Sequence, residues 1–497
     1  MRTPRAAALV MIAGLVATAC GARLPDGVQQ QAQNAILNPV TGSTANNGST
    51  GDNGSTGVLP GGTDTSAPST GNGPGTVPTS GTQPGSTKGS SGPSTSQTTS
   101  AQGPSCGTGT DVGLTASTLA LGTIADVTGP VSGLFQGAAE GIQTFKSFVN
   151  ATNNGICGHQ LSVDFRDGGT NCTQTENAAQ DLASKVFAFV GTFALYDNCA
   201  ATILKQHPTI PDIHDSLDPA ATQLANHFDI EPGQLGYATG MFKYYAQKYG
   251  SKVQHVGTIS EDLTSASEKQ HAQVHAAESQ GWKFTYQVAE APTNTNFVSD
   301  FNKMCNSDHI QIFFTVTEDA QNAATMIRNE NQAGCPKSLI NIIPIAYDPA
   351  FLSAFNGDTS AINGLQGYNQ YAMFFNPQDA AQIPELKLLQ EWFARTYPGQ
   401  PLNLYAMFAW ASGRLFQQAV ENAGSVLNRK TVLAALHKIK NFTSNGMVAP
   451  EDPGSKGTGV HCYVLWQFVN GQFQRQADPP ISGSTGGFRC DGKFLPA

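Results

Sequence analysis

The chain has 497 residues, with 36 acidic and 27 basic side chains and a formal net charge of −9. This acidic balance argues against nucleic-acid binding, which requires a basic face. The length allows two or three domains, and no segment after the N-terminal region has an apolar run long enough for a permanent transmembrane helix.

The N-terminal segment, residues 1–19, is typical of a signal peptide. Two arginines precede an apolar stretch that is too short to span a bilayer permanently. The stretch ends in the sequence VATAC, which resembles a bacterial lipobox, although Ala17 stands where Leu is usual. The resemblance implies acylation of Cys20 as the first residue of the mature chain, followed by a short segment, residues 20–39. A plain secretory signal is the alternative.

Residues 40–105 have the composition of a disordered tether. Gly, Ser, Thr, Pro and Asn dominate, no aromatic residue occurs, and the sequence NGSTG appears twice. Such a segment cannot bury enough apolar surface to offset the conformational entropy that is lost on ordering. Its expected root-mean-square span is roughly 45 Å. We therefore expect a globule that is held away from a membrane.

The stretch 119–149 predicts a strand, a loop and a helix. Apolar residues starting at Leu119 indicate a short buried strand. Pro130 ends it, because proline lacks the N–H that a β-ladder needs, and apolar residues then recur at helical spacing up to Val149. Ligands of open α/β sheets bind at such strand-to-helix loops, so the loop 126–136 is a candidate binding surface. An ordinary βα loop is the alternative.

Strand and helix patterns then alternate along the chain, which predicts parallel sheets covered by helices on both faces. The first group has predicted strands at 160–165, 186–190 and 210–213. A second group has a predicted helix at 235–249 and predicted strands at 253–259, 282–288, 310–316 and 339–346. Helices are predicted at 383–396, 404–423 and 431–439, and Asn470-Gly471 between apolar runs indicates a hairpin.

The stretch 119–149 also resembles the N-terminal part of type I periplasmic binding proteins, especially the leucine/isoleucine/valine-binding group. The matching residues are TGPV at 128–131, FQG at 135–137 and EG at 140–141, and the order of elements is similar from about 114 to 473. The resemblance implies a two-lobed α/β fold with a hinge, each lobe being a parallel sheet flanked by helices. Lobe 1 would comprise 112–231 and 372–442, and lobe 2 would comprise 232–371 and 443–490. Two Rossmann-like domains in series are the alternative.

The resemblance further implies that a ligand is held by loops at the carboxyl ends of strands from both lobes. The matching positions are Phe135, Tyr196, Asp197, Asp215, Ser216 and Asp218 in lobe 1, and Thr317, Glu318, Tyr347 and Asp348 in lobe 2. A helix cap or a turn is the alternative role for several of them. Carboxylates suit ammonium groups or sugar hydroxyls better than a carboxylate, so we expect an amino-acid-like ligand, an amine or a polyol.

Motifs of common enzyme classes are missing from the sequence. It contains no P-loop, no G-x-S-x-G elbow and no H-E-x-x-H, and we expect no cofactor. His271 and His275 have a spacing that could hold a metal, but we interpret them as a solvated helix face.

The favoured function is a monomeric, lipid-anchored solute-binding protein on the extracytoplasmic face, which delivers its ligand to an ABC permease. A surface sensor or adhesion lipoprotein and a secreted enzyme are the alternatives.

The nine cysteines indicate an oxidising compartment. If Cys20 is lipidated, eight remain, none of them in a C-x-x-C pair, and four disulfides are expected. Eight cysteines allow 105 pairings. Cys172 and Cys199 lie where the leucine-binding group has a bridge. Cys106 with Cys157, and Cys305 with Cys335, precede strands that we expect to be neighbours, and Cys462 with Cys490 is the remaining pair.

We predict that Cys20→Ala releases the protein from membranes, because the substitution removes the thiol that carries the lipid. Fractionation of cells that express the wild-type protein should place it with the membranes, and the variant should be in the soluble fraction. The control is Cys462→Ala, which removes a cysteine without touching the lipobox and should leave the protein in the membrane fraction. Retention of the Cys20→Ala variant on membranes would contradict the lipobox interpretation.

Overall fold

A computed structural model describes residues 107–230, 236–317, 319–456, 459–482 and 485–496 of the chain. The predicted signal peptide, Cys20, the tether, Cys106 and Glu318 lie outside the described residues. The expectations that concern them therefore stay predictions. Within the described residues, no helix combines the length and the apolar character needed to cross a membrane.

The first sheet has five parallel strands, and the alternating pattern predicts the first four of them. They are β1 (Thr118–Ala125), β2 (Gln160–Asp167), β3 (Ala188–Val190), β4 (Asp212–His214) and β5 (His227–Asp229). Their order in the sheet is β2-β1-β3-β4-β5, and every neighbouring pair is parallel. The connecting helices are α1 (Gln136–Asn153), α2 (Cys172–Ala183), α3 (Asp197–Gln206) and α4 (Pro219–Thr222).

The second sheet has seven strands, and a separate sheet has two, β6 and β14. The strands of these two sheets are β6 (Gly236–Ala238), β7 (Val256–Glu261), β8 (Phe284–Glu290), β9 (Ile312–Val316), β10 (Ile340–Ile342), β11 (Gln366–Asn369), β12 (Val464–Val469), β13 (Gln472–Arg475) and β14 (Phe494–Pro496). The order in the seven-stranded sheet is β13-β12-β11-β10-β9-β7-β8, with β7 to β11 parallel and β12 and β13 antiparallel. The predicted hairpin is confirmed: Asn470 and Gly471 connect β12 to β13 with φ values of 50° and 80°, as a tight hairpin turn requires.

The remaining helices cover these strands or return to the first sheet. They are α5 (Gly240–Tyr249), α6 (Thr264–Glu278), α7 (Val298–Asn302), α8 (Ala320–Gln332), α9 (Pro349–Ser353), α10 (Pro377–Gln382), α11 (Pro384–Thr396), α12 (Leu404–Glu421) and α13 (Arg429–Leu436). The isolated antiparallel bridges Tyr371–Val448 and Phe442–Glu451 join the segments that connect these helices to the second sheet.

Helix α12 lies against α1, although more than 250 residues separate them in sequence. A side chain at Gly141 would place its Cβ 2.2 Å from the backbone oxygen of Ala406, so the close approach of the two helices requires glycine at this position. The ring of Trp410 packs on Phe145 at 5.6 Å, and its indole N–H donates to Glu385 at 2.6 Å. This packing brings the N-terminal end of α12 close to the loop after β1.

Two predicted elements differ from the structure for identifiable reasons. The predicted helix 235–249 begins only at Gly240, because the preceding residues form β6 and pair antiparallel with β14 at the far end of the chain. The predicted strand 339–346 stops at Ile342. Pro344 lacks an N–H for a ladder, and Pro344–Ala346 form a 3₁₀ turn instead.

Three of the expected disulfides are confirmed. They are Cys172–Cys199, Cys305–Cys335 and Cys462–Cys490. The first joins α2 to α3 at the end of the first sheet where their loops lie. The predicted partner of Cys157 lies outside the described residues, and that pairing stays a prediction.

A buried ion pair fixes α10 to the hairpin of the second sheet. Asp379 is fully buried and accepts hydrogen bonds from Arg475 Nη2 at 2.6 Å and Nε at 3.0 Å. The same carboxylate accepts the N–H of Met373 at 2.9 Å. Removing one partner of such a pair leaves the other charge buried and without compensation.

We therefore predict that Asp379→Ala lowers the free energy of unfolding by about 3–5 kcal/mol, measured by urea denaturation. Lys440→Ala is the matched control. It removes the exposed pair Lys440–Asp452 and should cost less than about 1 kcal/mol. An equal decrease in the free energy of unfolding in the two variants would contradict the interpretation that burial makes the Asp379 pair structurally important.

Candidate functional site

A first cavity lies between loops of the first sheet and the edge of the second sheet. From the side of the first sheet, Asp215 follows β4, and the first turns of α12 contribute further residues. The lining residues are Asp215, Leu404, Tyr405 and Phe408 on this side, Tyr237, Lys269, Gln273, Thr315, Thr317, Pro344, Ile345, Tyr368 and Asn369 on the other, and Gln370 and Tyr371 in the connecting segment. The cavity volume is about 70 Å³.

A second cavity of about 440 Å³ lies between other loops of the same two sheets. On one side it is lined by residues 130–134, which follow β1, and by Asn403 and Tyr405 at the start of α12. On the other side it is lined by residues 292–295 after β8, by the N-terminal turn of α8, and by Asp348 and Ala350 at the start of α9. Tyr405 lines both cavities, and we call the two together the cleft.

Tyr405 is held in place by aromatic rings beneath it. Its ring contacts Phe135 at 4.8 Å and Phe193 at 5.2 Å, both in edge-to-face geometry. Phe135, which we predicted to touch ligand, is fully buried and lines neither cavity. The structure therefore gives Phe135 a supporting role beneath Tyr405.

Buried carboxylates hold the loops that follow the first sheet. Asp126 accepts the N–H of Thr170 at 2.9 Å and of Leu195 at 2.8 Å, and so it joins the loops after β2 and β3. Burial raises the pKa of Asp126 to about 6, although these two hydrogen bonds oppose the shift. Asp167 accepts the N–H of Val127 at 3.0 Å in the loop after β1. These positioning roles were not predicted from the sequence.

The predicted residues near β4 mostly build the turn that carries Asp215. Asp197 accepts the N–H of Leu217 at 2.7 Å, and burial raises the pKa of Asp197 to about 7. Ser216 donates its hydroxyl to Asp229 at 2.8 Å. Asp218 caps α4 by accepting the N–H of Ala220 at 2.8 Å. Only Asp215 of this group lines a cavity.

Tyr196 directly precedes α3, is partly buried and lines neither cavity. On the second-sheet side, Thr317 lines the first cavity, and its hydroxyl hydrogen-bonds to Glu261. Tyr347 is fully buried against Phe473, and its hydroxyl accepts the N–H of Phe375 at 2.7 Å.

Asp348 caps α9 by accepting the N–H of Ala350 at 2.7 Å, and it lines the second cavity. Among the predicted residues that the structure describes, Asp215 and Thr317 therefore share the first cavity and Asp348 lies in the second. The other predicted residues line neither cavity.

Several lining residues were missed by sequence reasoning. Asn369 ends β11, so the carboxyl-end rule could have found it had β11 been predicted as a strand. Lys269 and Gln273 lie one turn apart on α6, with no sequence signal that this face points to the cleft. Tyr405 comes from a helix more than 250 residues after the loop it faces.

Beneath the turn that carries Asp215 lies a buried cluster of carboxylates and imidazoles. Asp212 hydrogen-bonds to Nδ1 of His214 and to Nδ1 of His227, each at 2.9 Å, and His227 Nε2 lies 3.3 Å from Asp229. Burial would raise the pKa of Asp212, but the two imidazoles outweigh it and lower that pKa. Asp212, His214 and His227 have metal-ligand spacing. Because their facing atoms already bond to one another, we interpret the cluster as a structural network. His271 and His275 are exposed on α6.

Comparisons with known proteins give one family and a set of similar structures. A family model described as "Periplasmic binding protein" matches residues 118–472. The chain is similar to the structure of a possible leucine/isoleucine/valine-binding protein from Rhodopirellula baltica, with 16% identity and a TM-score of 0.61, covering 74% of this chain and 98% of that one. No curated protein matches the sequence.

Two further similar structures have titles that name other ligands. One is a fatty acid ABC transporter substrate-binding protein from Thermomonospora curvata, with 15% identity, a TM-score of 0.59, and coverage of 78% of this chain and 94% of that one. Another is an ABC transporter solute-binding protein from R. palustris in complex with 4-hydroxybenzoate, with 17% identity, a TM-score of 0.57, and coverage of 72% and 95%. At these identities the likeness concerns the fold.

The carboxyl of Asp348 should make the free energy of unfolding depend on pH. Burial, assisted by the charge of Asp319, raises the pKa of Asp348 from 3.8 to about 6, against the hydrogen bond from Ala350. A raised folded-state pKa contributes stability that is present below about pH 3.8 and is lost as the pH rises through 6. We therefore predict that Asp348→Asn, which keeps a good helix cap, raises the free energy of unfolding at pH 7.5 by up to about 3 kcal/mol and leaves it unchanged near pH 3.5.

The control for this prediction is Asp358→Asn. Asp358 is an exposed turn residue whose carboxyl pKa is lowered by hydrogen bonds from Ser360. Its substitution should therefore not raise the free energy of unfolding at pH 7.5. The measurement is chemical denaturation of both variants and the wild type at the two pH values. A gain for Asp348→Asn that is the same at both pH values would show that it does not arise from the carboxyl.

Proposed function

The chain belongs to the type I periplasmic binding protein family, and from this premise we propose that it is an extracytoplasmic solute-binding lipoprotein. It captures a small polar ligand between two lobes and delivers it to an ABC importer. The observation that carries this proposal is the cleft, because each of its two cavities is lined from both sheets at once. A ligand that contacts both sides links the two lobes.

We assign lobe 1 to residues 112–231 and 372–442 and lobe 2 to 232–371 and 443–490. This division is supported by the packing of α12 on α1 and by the two sheets of the fold. The connections near 370–372 and 442–451 are then crossings between the lobes, and their antiparallel bridges tie one crossing to the other. Segments of this kind act as hinges when a few residues absorb the change in backbone angles.

The ligand is an amino-acid-like molecule, an amine or a polyol. The similar structures do not decide among these classes, because their titles name ligands as different as fatty acids and 4-hydroxybenzoate. The residues of the cleft must therefore supply the specificity. In our proposal Asp215 and Thr317 contact the ligand from opposite sides, and Phe135 supports Tyr405 from below.

Anchoring by lipid at Cys20 and the tether of residues 40–105 place the binding domain at the extracytoplasmic face of the membrane. A monomer suffices for this role, since both sides of the cleft come from one chain. The partner is an ABC permease, as in the transporters named by the similar structures. The protein holds and releases a ligand and has no enzymatic role in this proposal.

The ligand can be identified by mass spectrometry of small molecules that remain bound through purification. With that ligand, calorimetry should show that variants on either side of the cleft weaken binding. We predict a loss of about 1.5–3 kcal/mol for Asp215→Asn, where a charged acceptor is removed, and about 0.5–1.5 kcal/mol for Thr317→Val. Thr285→Val on the exposed side of β8 is the control and should bind like the wild type.

Closure of the lobes is tested by small-angle scattering with and without ligand. A ligand shifts the open–closed equilibrium only by its differential affinity for the closed state, so the wild type should become more compact on binding. Thr317→Val should need a higher ligand concentration for the same change. Binding that leaves the scattering curve unchanged would contradict the hinge, and unchanged affinity in both Asp215→Asn and Thr317→Val would place the site elsewhere.

A further inference from the structure

We infer that Asp197 and His214 together form a proton-binding site beneath the turn that carries Asp215, and that the bound proton holds this turn in place. The site goes beyond the proposed function, and only its consequence for ligand affinity rests on that function. Two buried atoms without a hydrogen-bond partner, and the charges of the groups around them, point to this site.

The two side chains come from neighbouring elements and are withdrawn from water. Asp197 is the first residue of α3, His214 is the last residue of β4, and each is 2% exposed. The distance from His214 Nε2 to Asp197 Oδ2 is 4.0 Å, which is too long for a hydrogen bond. Nε2 of His214 and Oδ1 of Asp197 both lack a hydrogen-bond partner among the described residues.

The contact with Asp212 fixes Nε2 of His214 as an acceptor. Burial would raise the pKa of Asp212, but the imidazoles beside it outweigh burial and lower that pKa, so the carboxylate is ionised and only accepts. Nδ1 of His214, 2.9 Å from Asp212, therefore carries the hydrogen, and Nε2 of the neutral ring has the lone pair. Without a further proton, Nε2 and the Asp197 carboxylate are two acceptors that face each other.

One added proton removes this conflict on either side chain. On Asp197 it gives an O–H that donates to Nε2, and on His214 it gives an Nε2–H that donates to the carboxylate. Either bond ties the start of α3 to the end of β4. Asp197 also accepts the N–H of Leu217 at 2.7 Å and of Asp218 at 3.3 Å, so the same bond braces the turn that carries Asp215.

The charges next to the pair favour a proton there. Burial would lower the pKa of His227, but its hydrogen bonds to Asp212 and Asp229 outweigh burial and raise it, so this ring is a cation. The Nζ atom of Lys456 lies 2.7 Å from the backbone oxygen of His227. These two cations offset Asp212 and Asp229, and an ionised Asp197 would add one buried negative charge that they do not offset.

The turn above the pair adds further negative charge. Burial raises the pKa of Asp197 to about 7 with the help of the charge of Asp218, against the attraction of His214 and the hydrogen bonds to the turn. The surrounding elements also carry Lys205 at the exposed end of α3, Arg414 on α12, which pairs with Glu385, and His437, which packs on Phe228 of β5. A proton at the pair is therefore favoured up to about pH 7.

Proton binding and ligand binding are then coupled. Asp215 lines the first cavity from this turn, so a ligand that contacts Asp215 and a proton at the pair favour the same arrangement of the turn. Because coupling between two binding sites is reciprocal, ligand affinity should fall as the pH rises through 7.

The test is hydrogen exchange at the backbone N–H of Leu217 in the purified full-length protein without added ligand. Rates are measured at about pH 6 and about pH 8.5 and are corrected for the intrinsic exchange rate at each pH. A raised folded-state pKa contributes stability that is present below the unfolded pKa of 3.8 and is lost as the pH rises through about 7. The protection of Leu217 against exchange should therefore fall about 10-fold between the two pH values.

Two variants each remove one half of the site. Asp197→Asn keeps the acceptor for Leu217 and supplies an N–H for His214 at every pH, so protection should no longer change with pH. His214→Asn keeps a donor for Asp212 and removes Nε2, so most of the pH dependence should be lost. The matched control is His271→Asn, which changes an exposed imidazole on α6 and should behave like the wild type.

Constant protection of Leu217 in the wild type would overturn the proton site, and this result requires no variant. Full pH dependence in Asp197→Asn would assign the effect to another group, such as Asp126, and full dependence in His214→Asn would show that Asp197 titrates alone. Either result overturns the pair. Circular dichroism identifies a variant that fails to fold, and the other variant then decides. The proposed function is tested separately, with ligand, and stands or falls independently of these outcomes.

Discussion

Where the strands of the first sheet end, the loops begin with buried or partly buried backbone, and its N–H groups need acceptors. An unpaired backbone group away from water costs about as much as a lost hydrogen bond. In this protein, aspartates supply the acceptors: Asp126 joins two loops across β1, Asp167 holds the residues after β1, and Asp197 holds the turn after β4. The cleft exists because these carboxylates let irregular backbone stay buried, and Asp215 and the residues around 130–134 are placed by them.

The second requirement is that α12 approaches the first sheet closely enough to bring Tyr405 into the cleft. Glycine at position 141 removes the steric barrier between α1 and α12, and Trp410 fills the space beside it. The rings of Phe135 and Phe193 then orient Tyr405. The fold thus joins a loop near the start of the domain to a helix near its end, and it does so through apolar packing that has no polar signature in the sequence.

These two features explain how much of the molecule the sequence predicts. Alternating apolar strands and helical periods are local, so most of the parallel strands in both sheets, the hairpin at Asn470-Gly471 and most helices could be predicted. The strand β6 could not, because its partner β14 lies more than 250 residues away. The family resemblance indicated loops at the strand ends, and of the residues that it named, Asp215 and Thr317 line the first cavity and Asp348 lines the second. It could not separate side chains that line the cleft from those that cap helices, such as Asp218, because both occur at the same strand ends.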